Sequence, residues 1–72
     1  MIFINVSEIK VPRRPFKPDE GYRELVADIQ KNGILIPLLV KKVGKTYEII
    51  DGLRRYNATI LARRLQVPVE VV

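Results

Sequence analysis

Two adjacent arginines, Arg54 and Arg55, stand just after an aspartate and a glycine in the run Ile49-Ile50-Asp51-Gly52-Leu53-Arg54-Arg55-Tyr56-Asn57-Ala58. The run reads as the end of a buried strand, a tight turn at Gly52 and the first turn of a helix reaching about Leu65. A helix begins with backbone N–H groups that lack intrahelical acceptors and carry a partial positive charge. Basic side chains there are disfavoured by roughly 0.3–1 kcal/mol each when exposed. No capping box offsets this, because Arg54 rather than Glu or Gln stands three residues after Asp51. Free amides, a glycine that lets backbone come close and two guanidinium forks suit an anion, above all a phosphate. A plainer reading competes. The chain has four adjacent basic pairs, Arg13-Arg14, Lys41-Lys42, Arg54-Arg55 and Arg63-Arg64, and Asp51 would cap the helix and pair with Arg55 at the surface. The residues alone leave both open.

Other chemistry is thinly provided for. The 72 residues include no cysteine and no histidine, which removes disulfides, thiolate sites, the commonest general base and the commonest metal ligand. No catalytic residue and no metal site is assigned. A phosphodiesterase or phosphotransferase would have to use Asp51 or Glu48 as base or metal ligand. Glu48 is expected to pair with Lys41 across a hairpin, and Asp51 is more economically a cap. Net charge is +5, from 13 Lys/Arg against 8 Asp/Glu, which fits a nucleotide, a nucleic acid or an acidic surface as partner. Arg13, Arg14, Lys41 and Lys42 are the candidate nucleic-acid surface. The longest apolar run, Ile34 to Val40, is too short to span a bilayer, so the expected location is cytoplasmic.

The elements that must position these groups follow from pattern. Met1–Val6 is a first strand, and Ser7–Pro18 is an extended loop held by Pro12, Pro15 and Pro18, with Phe16 packed on the core and Arg13-Arg14 in solvent. Asp19 is the expected cap of a helix whose Tyr22, Leu25, Val26 and Ile29 form one apolar stripe. Asn32-Gly33 ends it, and Ile34–Pro37 leads on, its apolar residues plugging the core. Leu38–Val43 and Thr46–Asp51 form a hairpin about Gly44-Lys45. Pairing Val43 with Thr46 sets Lys41 opposite Glu48, Val40 opposite Ile49 and Leu39 opposite Ile50. The second helix, Gly52–Leu65, presents Ala58, Leu61, Ala62 and Leu65 on one face, with Arg63-Arg64 in its last turn. Val67–Val72 is a closing strand, with Pro68 suited to a sheet edge. The expected fold is a single α+β domain over residues 1–72: a small mixed sheet with a central hairpin and two packed helices.

The blocks ADIQKNGILIPLLV, YEIIDGLRRYNAT and PVEVV, in that order, resemble the N-terminal ParB-like domain of the ParB/sulfiredoxin superfamily. The family pattern is a helix, G-I-x-x-P-L-x-V, a hairpin, G-E-R-R-Y-R-A, a helix and P-V-x-V. PRRP in the proline-rich loop is similar to the basic segment that opens that domain. The resemblance covers nearly the whole chain. It implies a site in which the glycine-arginine-arginine turn cradles nucleotide phosphates, carried here by Gly52, Arg54 and Arg55 with Gly33 and the Ile34–Pro37 loop beside them. It implies a nucleotide ligand, CTP or ATP/ADP with Mg2+, and a role in chromosome or plasmid partition or regulation through DNA. A homodimer, or a further DNA-binding domain outside these residues, would go with it, the chain being a fragment or minimal version of a longer protein. Other branches act as nucleases or nucleotide-dependent phosphotransferases, and a plain, sequence-indifferent DNA-binding module is the remaining alternative. The sulfiredoxin reaction needs a cysteine in this turn, which the chain lacks. Leu53 stands where Glu is usual, Asn57 where Arg is common and Ile36 in place of a polar residue. Phosphate binding is therefore better supported than nucleotide identity or metal assistance.

Overall fold

Val40, Leu38, Val67 and Val69 lie fully buried at the middle of a four-stranded sheet, and the rest of the chain wraps this row. The computed structural model describes all 72 residues. In chain order they form β1 (Ile2–Asn5), a short 3-10 turn (Val6–Glu8), α1 (Tyr22–Asn32), β2 (Leu38–Val43), β3 (Thr46–Asp51), α2 (Leu53–Leu61) and β4 (Gln66–Val71). The strand order is β1-β4-β2-β3. β4 runs antiparallel to β1 and parallel to β2, so the sheet is mixed as expected.

Two apolar clusters hold the layers together. Ile4, Ile9, Leu38, Val40, Tyr56, Val67 and Val69 form the core on the sheet. Tyr22, Ile29, Ala58 and Ala62 lock α1 against α2. Ile34 is half-buried and packs against both, which ties the α1–β2 connector to the body of the domain. Leu35 and Ile36 do not plug the core as expected; they are 76% and 59% exposed. Phe16 packs on the ring of Tyr22 with centroids 5.0 Å apart, pinning the proline-rich loop to α1.

The hairpin register pairs Val43 with Thr46, Lys41 with Glu48 and Val40 with Ile49. Beyond that a bulge intervenes, and Leu39 faces Asp51 rather than Ile50. A bulge bends its strand and re-aims the residues beyond it, here the turn into α2. Pro68 is not at a sheet edge but in the central strand β4. It is tolerated there because β2 begins only opposite Val69, so on that side no strand stands level with Pro68 to need its missing N–H.

α2 is one turn shorter than its periodicity suggests. It ends at Leu61 because Arg63 adopts the left-handed conformation, φ 61°. The N–H of Arg64 donates to Thr59 O and that of Arg63 to Ile60 O, the pair of bonds that closes a helix around a left-handed residue. Leu65 is thereby turned out, at 83% exposure, and Leu61, still within α2, is 58% exposed, so neither joins Ala58 and Ala62 in the core. Arg63 and Arg64 lie past the helix end, not in its last turn. Arg64 has a structural task of a different kind. Its Nε donates to Ile29 O and its terminal nitrogen to Gln30 O, each at 3.0 Å, capping the C-terminal end of α1.

Candidate functional site

Gly52 is the pivot between β3 and α2. Its φ of 110° lies in the region that only glycine enters freely, and a Cβ there would stand 2.7 Å from Leu38 Cδ2. The turn therefore needs glycine twice over, for conformation and for space. Gly52, not Asp51, is the residue that precedes the helix, and no side chain caps it. Asp51 closes β3 and forms no ion pair with Arg55, contrary to the plainer reading of the sequence. The first backbone bond of α2 runs from Tyr56 N–H to Gly52 O, so the amides of Leu53, Arg54 and Arg55 have no partner within the helix.

The two arginines part company. Arg54 reaches α1's leading segment, where its Nε and a terminal nitrogen donate to the two carboxylate oxygens of Asp19, each at 2.9 Å. Asp19 does not cap α1 as expected; Gly21 occupies that place without a side-chain cap, and the Asp19 carboxylate serves Arg54 instead. The hydrogen bond from Arg54 holds the Asp19 carboxyl below the usual carboxylate range, and the same bond raises Arg54 above its ordinary value. Both side chains remain substantially exposed, at 43% for Arg54 and 58% for Asp19. Burial raises the Tyr22 phenol, against the nearby positive charge of Arg54.

Arg55 lines a separate hollow of about 160 Å³ with Leu25, Ile29, Gly33 and Ile34 to Ile36, together with Asp28. Asp28 is already engaged, accepting from Asn32 Nδ2 at 2.8 Å. The hollow is mostly apolar with one guanidinium at its wall, and Gly33, at φ 75°, forms part of it. Of the residues singled out from the sequence, Gly33 and Arg55 thus share one hollow, while Gly52 and Arg54 do not line it. Asn57, where the family pattern has arginine, spends its amide on the Leu53 carbonyl at 2.9 Å.

The other basic candidates divide as well. Arg13 and Arg14 line a hollow of about 220 Å³ with Lys10, Pro12 and Glu48. Lys41 is exposed directly across the hairpin from Glu48. The ion partner of Glu48, however, is Lys10 at 3.5 Å, not Lys41 as the pairing suggested. Lys42, on the opposite face by strand alternation, stands 5.7 Å over the Tyr47 ring. No group of three or more carboxylates converges anywhere in the domain. No helix is long and apolar enough to cross a membrane.

A small mixed sheet carrying two helices, with an uncapped, arginine-bearing helix start at a glycine turn, defines the ParB/sulfiredoxin-like class. The profile of the ParB N-terminal domain matches residues 2–72, and the chain belongs to that family. A probable plasmid-partitioning protein ParB of Deinococcus radiodurans is 57% identical over 60 residues, which are 83% of this chain and 20% of that protein. The chain therefore spans about a fifth of the length of this relative. Among solved structures, the C-terminally truncated ParB of Caulobacter crescentus complexed with CTP-γ-S superposes with a TM-score of 0.81 at 28% identity, covering 99% of this chain and 43% of that one. Sulfiredoxin of Arabidopsis thaliana superposes with a TM-score of 0.83 at 22% identity, over 99% of this chain and 82% of that one, a likeness of fold alone.

Proposed function

We propose that this domain binds the phosphates of a nucleotide at the start of α2, as the nucleotide-responsive part of a cytoplasmic DNA-partition protein. The observation that carries the reading is the combination at the turn. α2 opens from a left-handed Gly52 with no side chain on its first amides, and Arg55 lines the adjoining hollow with Gly33. Oriented amides and a guanidinium fork complement phosphate oxygens. The partition relative and the CTP-γ-S complex of the Caulobacter protein support the same direction. Arg55 is the primary phosphate ligand, and Arg54 joins it by exchanging or sharing its bond to Asp19. Arg13, Arg14 and Lys41 add a general attraction to DNA that weakens steeply with salt.

The test is a titration of the isotope-labelled chain with CTP, ATP, ADP and GTP, with and without magnesium, followed by amide NMR. The amides of Gly52 to Tyr56 and Gly33 to Ile36 shift first, one nucleotide does so at the lowest concentration, and Arg55→Ala removes the response. Silence at those amides up to about millimolar nucleotide, where binding free energy is only about 4 kcal/mol, sinks the proposal.

A further inference from the structure

On the strength of that phosphate site, we propose that Asp19 is its resting occupant and sets its ligand class: polyphosphates displace the carboxylate from Arg54, whereas a single phosphate does not. A carboxylate and a phosphate present the same two-oxygen edge to a guanidinium. Asp19 fills that edge on Arg54 with two bonds of 2.9 Å. It comes from 35 residues away in sequence, so the contact is a tertiary one between the segment before α1 and the first turn of α2. Arg54 is also close to the chain beside Asp19, since a Cβ at Gly21 would lie 3.1 Å from its terminal nitrogen.

The consequence is a threshold in ligand charge. Arg55, which makes no ion pair, is available to a first phosphate group. Arg54 is not, until its carboxylate is removed. A lone phosphate that engaged Arg55 would gain one guanidinium and meet the carboxylate of Asp28 in the same hollow, with Arg54 still held by Asp19. A chain of phosphates has groups to spare for Arg54 and charge enough to compete there. The exchange is feasible because exposed ion pairs are weakly held. Displacement also frees the segment Pro18–Gly21, so a bound polyphosphate is signalled to the start of α1.

The experiment compares inorganic phosphate and tripolyphosphate as probes, by calorimetry and amide NMR, on the full chain and on Asp19→Asn and Asp51→Asn. Both substitutions are at exposed side chains, and Asp51 lies on the other side of Gly52 without an ion partner. Tripolyphosphate is expected to bind the unaltered chain and to shift the amides of Asp19 and Gly21. Phosphate should bind more weakly without shifting them. Asp19→Asn frees the Arg54 guanidinium and raises phosphate affinity by up to about fivefold, the effect of one unit charge about 4 Å away in water, and narrows the difference between the probes. Asp51→Asn raises both affinities alike and leaves the difference in place. Weaker binding by Asp19→Asn, or an unchanged difference, overturns the inference and makes Asp19 a residue that positions Arg54 for its ligand. Absence of binding by every form removes the phosphate site itself and the inference with it.

Discussion

The Arg54 guanidinium and the Asp19 carboxylate meet fork to fork, with both bonds at 2.9 Å, and this pair ties the leading segment of α1 to the first turn of α2. The hydrogen bond from Arg54 lowers the folded pKa of Asp19 against the opposing effect of desolvation. The unfolded value is the ordinary one, about 3.9. The pair's contribution to folding is therefore fully present above that value and is lost as pH falls through the lowered folded one. In Arg54→Ala the Asp19 carboxyl should titrate back at its ordinary pH. Carbon-detected NMR of the side-chain carboxyls reads this directly, and an unmoved midpoint would show that Arg54 is not the cause.

Gly52 is tested by adding one methyl group. Gly52→Ala must hold a left-handed backbone, at about 1–2 kcal/mol, and bring its Cβ to 2.7 Å from Leu38 Cδ2. Together these predict a loss of about 2–4 kcal/mol in denaturant unfolding. Leu38→Val shortens the side chain that is in the way. The double variant should lose less than the sum of the two single ones, because contacting residues are not additive. Strict additivity would mean that space is not the issue at Gly52.

Arg63 and Arg64 carry the same charge and should respond oppositely to substitution. Arg63→Gly relieves a left-handed side-chain residue but gives the unfolded chain more freedom, for a net gain of about 0.5 kcal/mol. Arg64→Ala removes both donors from the end of α1, at Ile29 O and Gln30 O. The expected loss is about 1–2 kcal/mol, that of hydrogen bonds from a charged group at a partly exposed site. Thermal melts of the two variants should move in opposite directions.

Leu38→Ala goes to the centre of the core. Leu38 is fully buried among β4 and α2 residues, and such truncations cost about 2–5 kcal/mol. A domain this small holds only about 3–5 kcal/mol in total, so the variant should be largely unfolded by circular dichroism at room temperature. A cooperative melt near that of the parent would contradict the placement of this residue.

The strands and helices were legible because their signals are local. The Gly44-Lys45 turn gave the hairpin, the Tyr22–Leu25–Val26–Ile29 spacing gave α1, and the cross-strand match of Lys41 with Glu48 supported the register, which holds as far as the bulge at Leu39. What escaped was decided by contacts distant in sequence or by backbone state. Asp19 next to a helix start looks like a cap, and nothing local tells that Arg54 claims it. Arg63 has no feature of its own that announces a left-handed residue, so the periodicity ran on to Leu65. Lys10 takes Glu48 because the loop returns beside β3, where Ile9 bridges to Tyr47. At the candidate site, residue types showed which groups suit phosphate, but not that the two arginines address different neighbours.

Of the four strands, the one synthesised last sits in the interior of the sheet, between β1 and β2. Residues 2–5 thus wait for residues 66–69 before they have any partner, the longest loop closure in the domain. The hairpin can form early, but until β4 is inserted its flank and that of β1 stay unsatisfied and sticky. Folding of this domain on the ribosome is accordingly all or nothing at the end. A chain cut short before Gln66 would lose the keystone of its sheet rather than a rim, and should be a substrate for chaperones and proteases rather than a slightly smaller version of the same domain.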